Sequence, residues 1–458
     1  MIAVASPERP LLHRVLQNAG VLLGGRAANA LISLGYMAVA ARLLGVREVG
    51  VLILINAFAQ LVGEVVKFNS WQTVLHYGSG PLAAGERGKL QQVVRFTLFL
   101  DVASSLVGVA VAVSAAMLFG DRLGWSPADS PKAALYCLTI LVMASATPTG
   151  LLRLFDRFDL IAAQAPISSL VRLVGSGLAF LLGAATLSSF LIVWAAGTIA
   201  AFLYAASQAA LEMRRRDLLG GFRWFGAPLT AGMPGAWRFA WATNFNSSLD
   251  VAFTHTITIV VGALAGPAPA ALWRIGRQVA DALAKPARLL IPALYPELAR
   301  LHVSHGELAM RRLALQVGVV GGGVGTALLL ITVLIGKPVL TLVMGPAFAP
   351  AAAIMVWQVA AAVIGIWALP LDPMLVTLGR PGDSLKVRLV VAGGLLAALP
   401  LMIVRFGITG AGAALVAAMA ALAAGMLFML RRHSRLRTPP AQQEMACAEG
   451  PLRAKGGE

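Results

Sequence analysis

Polar and charged side chains follow one face of two otherwise apolar stretches of this sequence. The stretch 48–72 carries four such residues at helical spacing: Asn56, Gln60, Glu64 and Lys67. The stretch 268–297 carries five: Arg274, Arg277, Asp281, Lys285 and Arg288. In an α-helix of about 3.6 residues per turn, each set falls within a narrow arc. Because guanidinium and ammonium groups bind phosphate oxygens, the pattern predicts a binding surface for an anion.

Three further apolar stretches carry residues that are expected to line the same surface. These are Arg26, Asn29 and Ser33 in 15–41, Arg172 in 160–183, and Asp250 in 239–264. His255 follows Asp250 by five residues, about 140° around the helix, so a direct pair is not expected. Asp250 and His255 are therefore candidates for a proton relay or for ion coupling, with an interhelical hydrogen bond as the alternative role.

The charge balance of these stretches indicates a water-filled cavity. If these apolar stretches span a bilayer, each ionised group within them costs roughly 2.5 to 3.5 kcal/mol on insertion scales. Ion pairs that lock helices together, such as Arg277 with Asp281, are the alternative explanation. The anions in this count are Glu64, Asp250 and Asp281, and the seven cations are Arg26, Lys67, Arg172, Arg274, Arg277, Lys285 and Arg288. This excess of cations favours a positive cavity that attracts pyrophosphate or acidic sugars and repels lipophilic cations.

The elements that must position these residues are membrane-spanning helices. Of the 458 residues, 58% are hydrophobic and only 12% are charged, which excludes a set of soluble domains. Apolar runs near the ~20 residues needed to cross a bilayer recur along the whole chain. The predicted spans are 15–41, 48–72, 96–119, 133–152, 160–183, 189–212, 239–264, 268–297, 313–336, 351–376, 387–405 and 410–430.

The distribution of basic residues predicts the orientation and the division of the chain. With twelve spans and both termini inside, 24 Lys and Arg lie on the cytoplasmic side and 6 on the opposite side. The net charge of +17 is thereby explained by orientation and anionic lipid, and nucleic acid is not expected as a partner. The expected parts are an N-terminal tail (1–14), an N-lobe (15–212), a cytoplasmic linker (213–238), a C-lobe (239–430) and a disordered C-terminal tail (431–458).

The two halves of the chain also repeat each other. A shift of 221 residues places Gly45 on Gly266, and it places the stripe from Asn56 to Lys67 on the stripe from Arg277 to Arg288, position for position. Internal repeats are typical of secondary transporters. The expected fold is therefore all-α, with about twelve spans in two six-helix lobes around a central cavity.

Two local motifs carry a resemblance to a known family. The first is Ala-Arg-Leu-Leu-Gly at 41–45 followed by Glu-Val-Gly at 48–50. The second is Trp-Arg-Ile-Gly-Arg-Gln at 273–278, followed by Lys-Pro at 285–286 and Pro-Ala-Leu-Tyr-Pro at 292–296. The chain resembles the bacterial polysaccharide and O-antigen flippases of the multidrug/oligosaccharidyl-lipid/polysaccharide (MOP) exporter superfamily. In span count and loop lengths the resemblance covers nearly the whole chain.

The resemblance implies a flippase with alternating access in the bacterial inner membrane. Its cargo would be an oligosaccharide on undecaprenyl pyrophosphate, used for O-antigen, capsule or exopolysaccharide. The lipid bilayer and other polysaccharide assembly proteins would be its partners. No cofactor or metal is expected, because the sequence has two cysteines, no nucleotide motif and no histidines at metal-ligand spacing.

Three alternatives are considered. An ion-coupled multidrug exporter often has an acid in the first span, where this chain has Arg26. A lipid II flippase shares the basic cavity but typically has fourteen spans. A membrane-embedded glycan polymerase or ligase generally needs a large periplasmic loop, and the longest expected loops here, 120–132 and 337–350, are short. An enzyme is therefore not expected.

Overall fold

The computed structural model describes residues 11–222, 228–230, 232–288 and 291–436, and the regular structure in these ranges is helical. The all-α prediction is confirmed. Within these ranges there are fourteen α-helices in chain order: α1 Leu11–Val66, α2 Ser70–Ala83, α3 Arg87–Phe119, α4 Ser130–Cys137, α5 Ile140–Met143, α6 Thr147–Leu154, α7 Phe158–Leu181, α8 Leu187–Arg215, α9 Ala236–Ala265, α10 Pro267–Arg288, α11 Ile291–Met344, α12 Ala351–Trp367, α13 Leu371–Thr377 and α14 Pro381–Leu436. Short 3-10 turns at Pro127–Asp129 and Pro346–Phe348 precede α4 and α12.

Glycines divide the three longest helices. Helix α1 has 56 residues, which at ~1.5 Å per residue far exceeds the ~30 Å hydrocarbon core. Its backbone leaves helical geometry at Gly45, and the same happens in α11 at Gly306 and in α14 at Gly407. Gly45 and Gly407 lie between spans that the sequence predicts as separate. Each of these long helices therefore consists of two helical segments joined at a glycine.

The described residues contain eight helical stretches that are long and apolar enough to cross a membrane. Two of them, Ile32–Ala83 and Gly382–Arg432, have 52 and 51 residues and contain the breaks at Gly45 and Gly407. Length alone allows each of these to cross twice. The chain is thus a multi-pass membrane protein, while the count of twelve spans and the lobe boundaries remain predictions.

Backbone conformation repeats at the interval found in the sequence. Gly45 has φ 75° and ψ 174°, and Gly266, 221 residues later, has φ 93° and ψ 176°. Positive φ also recurs at Gly85 and Gly306, and at Gly124 and Gly345, with the same separation. Only glycine adopts such angles without strain, so the turns of the two halves use the same residue type at equivalent positions. The internal repeat therefore extends from sequence to local structure.

Two predicted spans depart from regular helix. The predicted span 48–72 is broken, because α1 ends at Val66 and α2 begins at Ser70. The predicted span 133–152 consists of the short helices α4, α5 and α6, with a break at residues 144–146. Irregular backbone at membrane depth is tolerated only where it is buried in protein or lines a water-filled cavity. These breaks therefore predict that protein or a water-filled cavity lies beside them.

The chain forms two compact units. The first contains the described residues within 11–278, 334–355 and 399–411, and the second contains those within 279–333, 356–398 and 412–436. In the first unit, an apolar cluster around Phe68, Phe96 and Met233 packs α3 against the start of α9. In the second unit, a cluster including Met310, Leu375 and Met426 joins α11, α13 and α14. The outer ends of the predicted tails, residues 1–10 and 437–458, lie outside the described residues.

Candidate substrate cavity

A cavity of about 570 Å³ lies within the first unit, beside the helix breaks. Its wall is formed by α1, α2 and α5 to α9. Most of the side chains on it are polar or charged: Gln60, Glu64, Lys67, Ser145, Thr149, Arg153, Gln164, Ser168, Arg172, Thr198 and His255. The volume falls in the range of pockets that hold small molecules, ~300 to 1,000 Å³. The cavity is therefore large enough for a polar head group.

The charged groups on this wall are mainly cationic. Among the described lining residues, the cations are Lys67, Arg153 and Arg172, and the one carboxylate is that of Glu64. The ammonium of Lys67 lies 3.5 Å from Oε1 of Glu64, and the guanidinium of Arg153 lies 4.0 Å from the ring centre of Trp71. A cleft lined by one sign of charge concentrates ligands of the opposite sign. This wall thus favours an anion.

Arg172 is held in place by several neighbours. Its guanidinium donates hydrogen bonds to Thr198 Oγ1 at 3.1 Å and to the Tyr36 hydroxyl at 3.4 Å, and it lies 4.9 Å from the ring centre of Trp194. Helices α7 and α8 come close enough that a Cβ at Gly197 would lie 2.8 Å from the carbonyl oxygen of Ser168. Stacking and hydrogen bonding fix the plane of an arginine, which prepares it for bidentate contact with phosphate.

The helix breaks contribute directly to the wall. Lys67 follows the end of α1, while Ser145 and Ala146 lie between α5 and α6, and all three line the cavity. Behind them, Oδ2 of Asp101 accepts hydrogen bonds from the backbone N–H groups of Ala146 and Thr147 at 2.9 and 2.8 Å. These N–H groups belong to the start of α6 and have no partner within the helix. Asp101 therefore satisfies the backbone that the cavity leaves open.

Sequence reasoning missed Asp101. The residue lies in the predicted span 96–119 but was absent from the count of intramembrane anions, which consequently rises by one. A usable signal was present in Ser145-Ala146-Thr147-Pro148, since proline just inside a helix start after a small hydroxyl residue is typical of a new helix. That break requires a partner for its free N–H groups, and a carboxylate in a neighbouring span can provide one.

Of the predicted site residues, five line this cavity: Gln60, Glu64, Lys67, Arg172 and His255. Three others form hydrogen bonds between helices. The Tyr136 hydroxyl donates to Asn56 at 2.8 Å, the Ser169 hydroxyl donates to Asn29 at 2.6 Å, and the Gln278 amide donates to Ser33 at 2.9 Å. These contacts join α1 to α4, α7 and α10, respectively.

The remaining predicted residues lie elsewhere or are not described. Arg274 and Arg277 are half-buried on α10 in the first unit, and Asp281 is half-buried in the second unit; these three are not among the lining residues. The side chains of Arg26, Asp250, Lys285 and Arg288 lie outside the described part of the chain. Within that part, no three His, Cys, Asp or Glu side chains are placed to hold a metal ion.

Comparison with known proteins places the chain in a family. The family model described as "Polysaccharide biosynthesis protein" matches residues 15–302, more than half of the chain. A curated relative, "Inner membrane protein YghQ" of Escherichia coli strain K12, is 32% identical over 331 residues, which are 72% of this chain and 92% of the relative.

Solved structures agree on the fold. An inward-facing multidrug resistance MATE family transporter of the MOP superfamily matches with a TM-score of 0.65 at 14% identity, covering 91% of this chain and 96% of that one. The lipid II flippase MurJ in an inward closed conformation matches with a TM-score of 0.63 at 10% identity, covering 90% and 87%. At these identities the likeness concerns the fold alone. The chain therefore belongs to the polysaccharide biosynthesis protein family, and it has the fold of MOP-superfamily transporters.

Proposed function

We propose that the chain flips an oligosaccharide linked to undecaprenyl pyrophosphate across the bacterial inner membrane by alternating access. The observation that carries this proposal is the polar cavity of about 570 Å³, on whose described wall Lys67, Arg153 and Arg172 outnumber the single carboxylate of Glu64. A lipid-linked cargo presents two phosphates at the membrane surface followed by sugar hydroxyls. The cavity offers cations for the phosphates and amides and hydroxyls for the sugars.

The chemistry of the side chains on the wall supports a polar head group. Arg172 provides a fixed planar fork for phosphate oxygens, and Lys67 provides a compact charge. Gln60, Gln164, Ser168 and Thr149 are suited to donate to and accept from sugar hydroxyls. The cationic residues predicted from sequence extend this proposal: Arg26, Arg274, Arg277, Lys285 and Arg288 would attract the head group as it enters or leaves.

The proposal also covers the membrane in which the protein lies, the orientation of its termini and the coupling of transport to an ion gradient. The curated Escherichia coli relative is named an inner membrane protein, and the excess of basic residues in the expected cytoplasmic loops favours both termini on the cytoplasmic side. His255 lines the cavity, so it and Asp250 are the residues that we propose for any proton or sodium coupling. The product would enter O-antigen, capsule or exopolysaccharide assembly.

Multidrug export and lipid II transport are the alternatives, since both kinds of protein share this fold. The charge of the cavity wall supports an anionic cargo over a cationic one. Lipophilic cations would be repelled by Lys67, Arg153 and Arg172. The one described carboxylate on the wall, Glu64, is paired with Lys67 at 3.5 Å. This argument favours an anionic head group. Lipid II is also a pyrophosphate, so only a transport assay with defined head groups separates it from the proposed cargo.

A reconstituted flipping assay tests the proposal. The protein is placed in liposomes with a fluorescently labelled polyprenyl-pyrophosphate oligosaccharide, and a membrane-impermeant quencher reports which leaflet holds the label. We expect the wild-type protein to equilibrate the label between leaflets and Arg172→Gln to slow this at least ~10-fold, because a charged hydrogen-bonding partner is lost. Arg405→Gln, an exposed arginine away from the cavity wall, is the matched control.

Native mass spectrometry of the protein purified from its own host identifies the cargo. A bound species with the mass of a polyprenyl pyrophosphate carrying sugars supports the proposal, and the sugar masses name the glycan. Saturable binding of lipophilic cations, together with absence of flipping in the liposome assay, would instead assign the chain to drug export. Transport of lipid II alone would assign it to peptidoglycan precursor export.

A further inference from the structure

A second cavity lies in the second unit and differs in character from the first. It is a groove of about 470 Å³ between α11, α12, α13 and α14. Its walls are apolar, with exposed side chains such as Leu315, Val319 and Leu427, and its lining includes two arginines, Arg311 and Arg431. In a membrane protein, apolar surface that is exposed in this way faces lipid chains.

The two arginines line the same groove. Each directly follows a residue of one buried cluster, Met310 before Arg311 and Leu430 before Arg431. Arg311 lies near the beginning of the apolar stretch Leu308–Met344. Arg431 lies at the end of the apolar stretch Gly382–Arg432. Positions near the ends of apolar stretches predict that both guanidinium groups lie at the level of the lipid head groups and that the groove continues into the hydrocarbon region.

Trp367 forms the inner part of the groove. The lack of a side chain at Gly322 lets the indole pack directly on α11, since a Cβ at that position would overlap the ring. The indole N–H donates to Thr326 Oγ1 at 3.3 Å, and the ring remains 45% exposed. The groove thus has a fixed aromatic wall in the bilayer and a cationic rim at its surface.

We propose that this groove is a binding site for an anionic diacyl phospholipid of the surrounding membrane. The phosphate would lie between Arg311 and Arg431, and one acyl chain would follow the groove past Leu315 and Val319 towards Trp367. Arginines next to apolar spans are the pattern expected for anionic head groups, and in the orientation proposed above, with both termini inside, this rim lies on the cytoplasmic side, where anionic lipid attracts basic residues. The site is distinct from the cargo cavity, and its existence does not depend on what the protein transports.

Trp367 supplies a direct readout. The full-length protein is placed in nanodiscs that contain either brominated phosphatidylglycerol or brominated phosphatidylcholine at the same mole fraction. The quenching due to Trp367 is obtained by difference from Trp367→Phe. We expect phosphatidylglycerol to be preferred about tenfold in the wild-type protein, because two cations lie near the surface. The preference should disappear in the double variant Arg311→Gln, Arg431→Gln.

The neighbouring pair provides the control. Arg312 and Arg432 are exposed, adjacent in sequence and absent from the groove lining, so Arg312→Gln with Arg432→Gln should keep the preference. Equal quenching by the two lipids in the wild-type protein, or a preference that survives the Arg311 and Arg431 double variant, overturns the proposal. Displacement of phosphatidylglycerol by an equimolar polyprenyl phosphate would also overturn it, by assigning the groove to a polyprenyl lipid. Should the double variant fail to fold, Arg431→Gln alone is compared with Arg432→Gln.

Discussion

The hydroxyl of Ser70 donates a 2.6 Å hydrogen bond to Oδ1 of Asp101, a carboxylate that is only 2% exposed within apolar helix α3. The other oxygen accepts from the Ser145 hydroxyl and from the N–H groups of Ala146 and Thr147. One carboxylate therefore fixes the beginnings of α2 and α6, the two helices that start beside the cavity. Asp101 does not itself line the cavity, so its role is to position the wall.

Asp101→Asn should destabilise the protein by about 1.5 to 3 kcal/mol, because a neutral amide oxygen accepts the three hydrogen bonds at the Oδ2 position more weakly than a carboxylate, and the amide NH2 cannot accept the hydrogen bond from Ser70. Ser70→Ala removes one hydrogen bond and should cost only about 1 kcal/mol. Thermal unfolding can be followed with a thiol-reactive dye in a Cys447→Ser background, where the buried Cys137 becomes reactive only on unfolding.

The control for Asp101→Asn is Asp121→Asn, which removes an exposed carboxylate from a loop. Asp121→Asn should unfold at the wild-type temperature. Equal unfolding temperatures for the wild-type protein, Asp101→Asn and Asp121→Asn would show that the backbone breaks are stabilised without Asp101.

Several features of this fold could be predicted from sequence because they depend on local patterns. Apolar runs, basic loops and the 221-residue repeat indicated a helical membrane transporter. The repeat even identified Gly45 and Gly266, whose backbone angles agree closely. Such features need only hydropathy and the conformational freedom of glycine, and neither depends on which helices become neighbours.

Features that depend on helix neighbours could not be predicted in this way. Periodicity placed Asn56 and Gln60 on one face of α1, yet Asn56 is buried against Tyr136, which is 80 residues distant, while Gln60 lines the cavity. The break before α6 depends on Asp101, which is 45 residues from Ala146. Hydropathy averages over such breaks, so a span of three short helices looks like one.

The approach of α1 to α10 makes a second prediction about stability. A Cβ at Gly50 would overlap the backbone carbonyl of Pro267, and backbone cannot move aside as a side chain can. Gly50→Ala should therefore lower the unfolding temperature strongly or prevent folding. Gly177→Ala, in a helix with nothing within 4 Å of the added Cβ, should be neutral or stabilising by about 0.5 to 1 kcal/mol. Similar unfolding of both variants in the dye assay would contradict this close approach.

The affinity for the cargo should depend on the planar guanidinium of Arg172. Arg172→Lys keeps the charge but loses the planar group that contacts Thr198, Tyr36 and Trp194. We expect it to bind the lipid-linked cargo roughly tenfold more weakly, and Arg172→Gln to bind it more weakly still. Affinity is measured by titrating the labelled cargo into protein in detergent, with Arg405→Lys as the control. Wild-type affinity in Arg172→Lys would mean that a point charge is sufficient at this position.

The difference between Gln60 and Asn56 provides a test of the cavity that needs no knowledge of the cargo. In a background without Cys137 and Cys447, Gln60→Cys should react with membrane-impermeant methanethiosulfonates at least ~10-fold faster than Asn56→Cys, which is buried. The sign of the wall charge is obtained by comparing the reaction rates of an anionic and a cationic reagent. Relative to the rate of each reagent with a free thiol in solution, Lys67, Arg153 and Arg172 should speed the reaction of a sulfonate reagent at Gln60→Cys and slow that of a trimethylammonium reagent, and the difference should shrink as salt is added. A normalised preference for the trimethylammonium reagent would indicate an acidic cavity suited to cationic drugs.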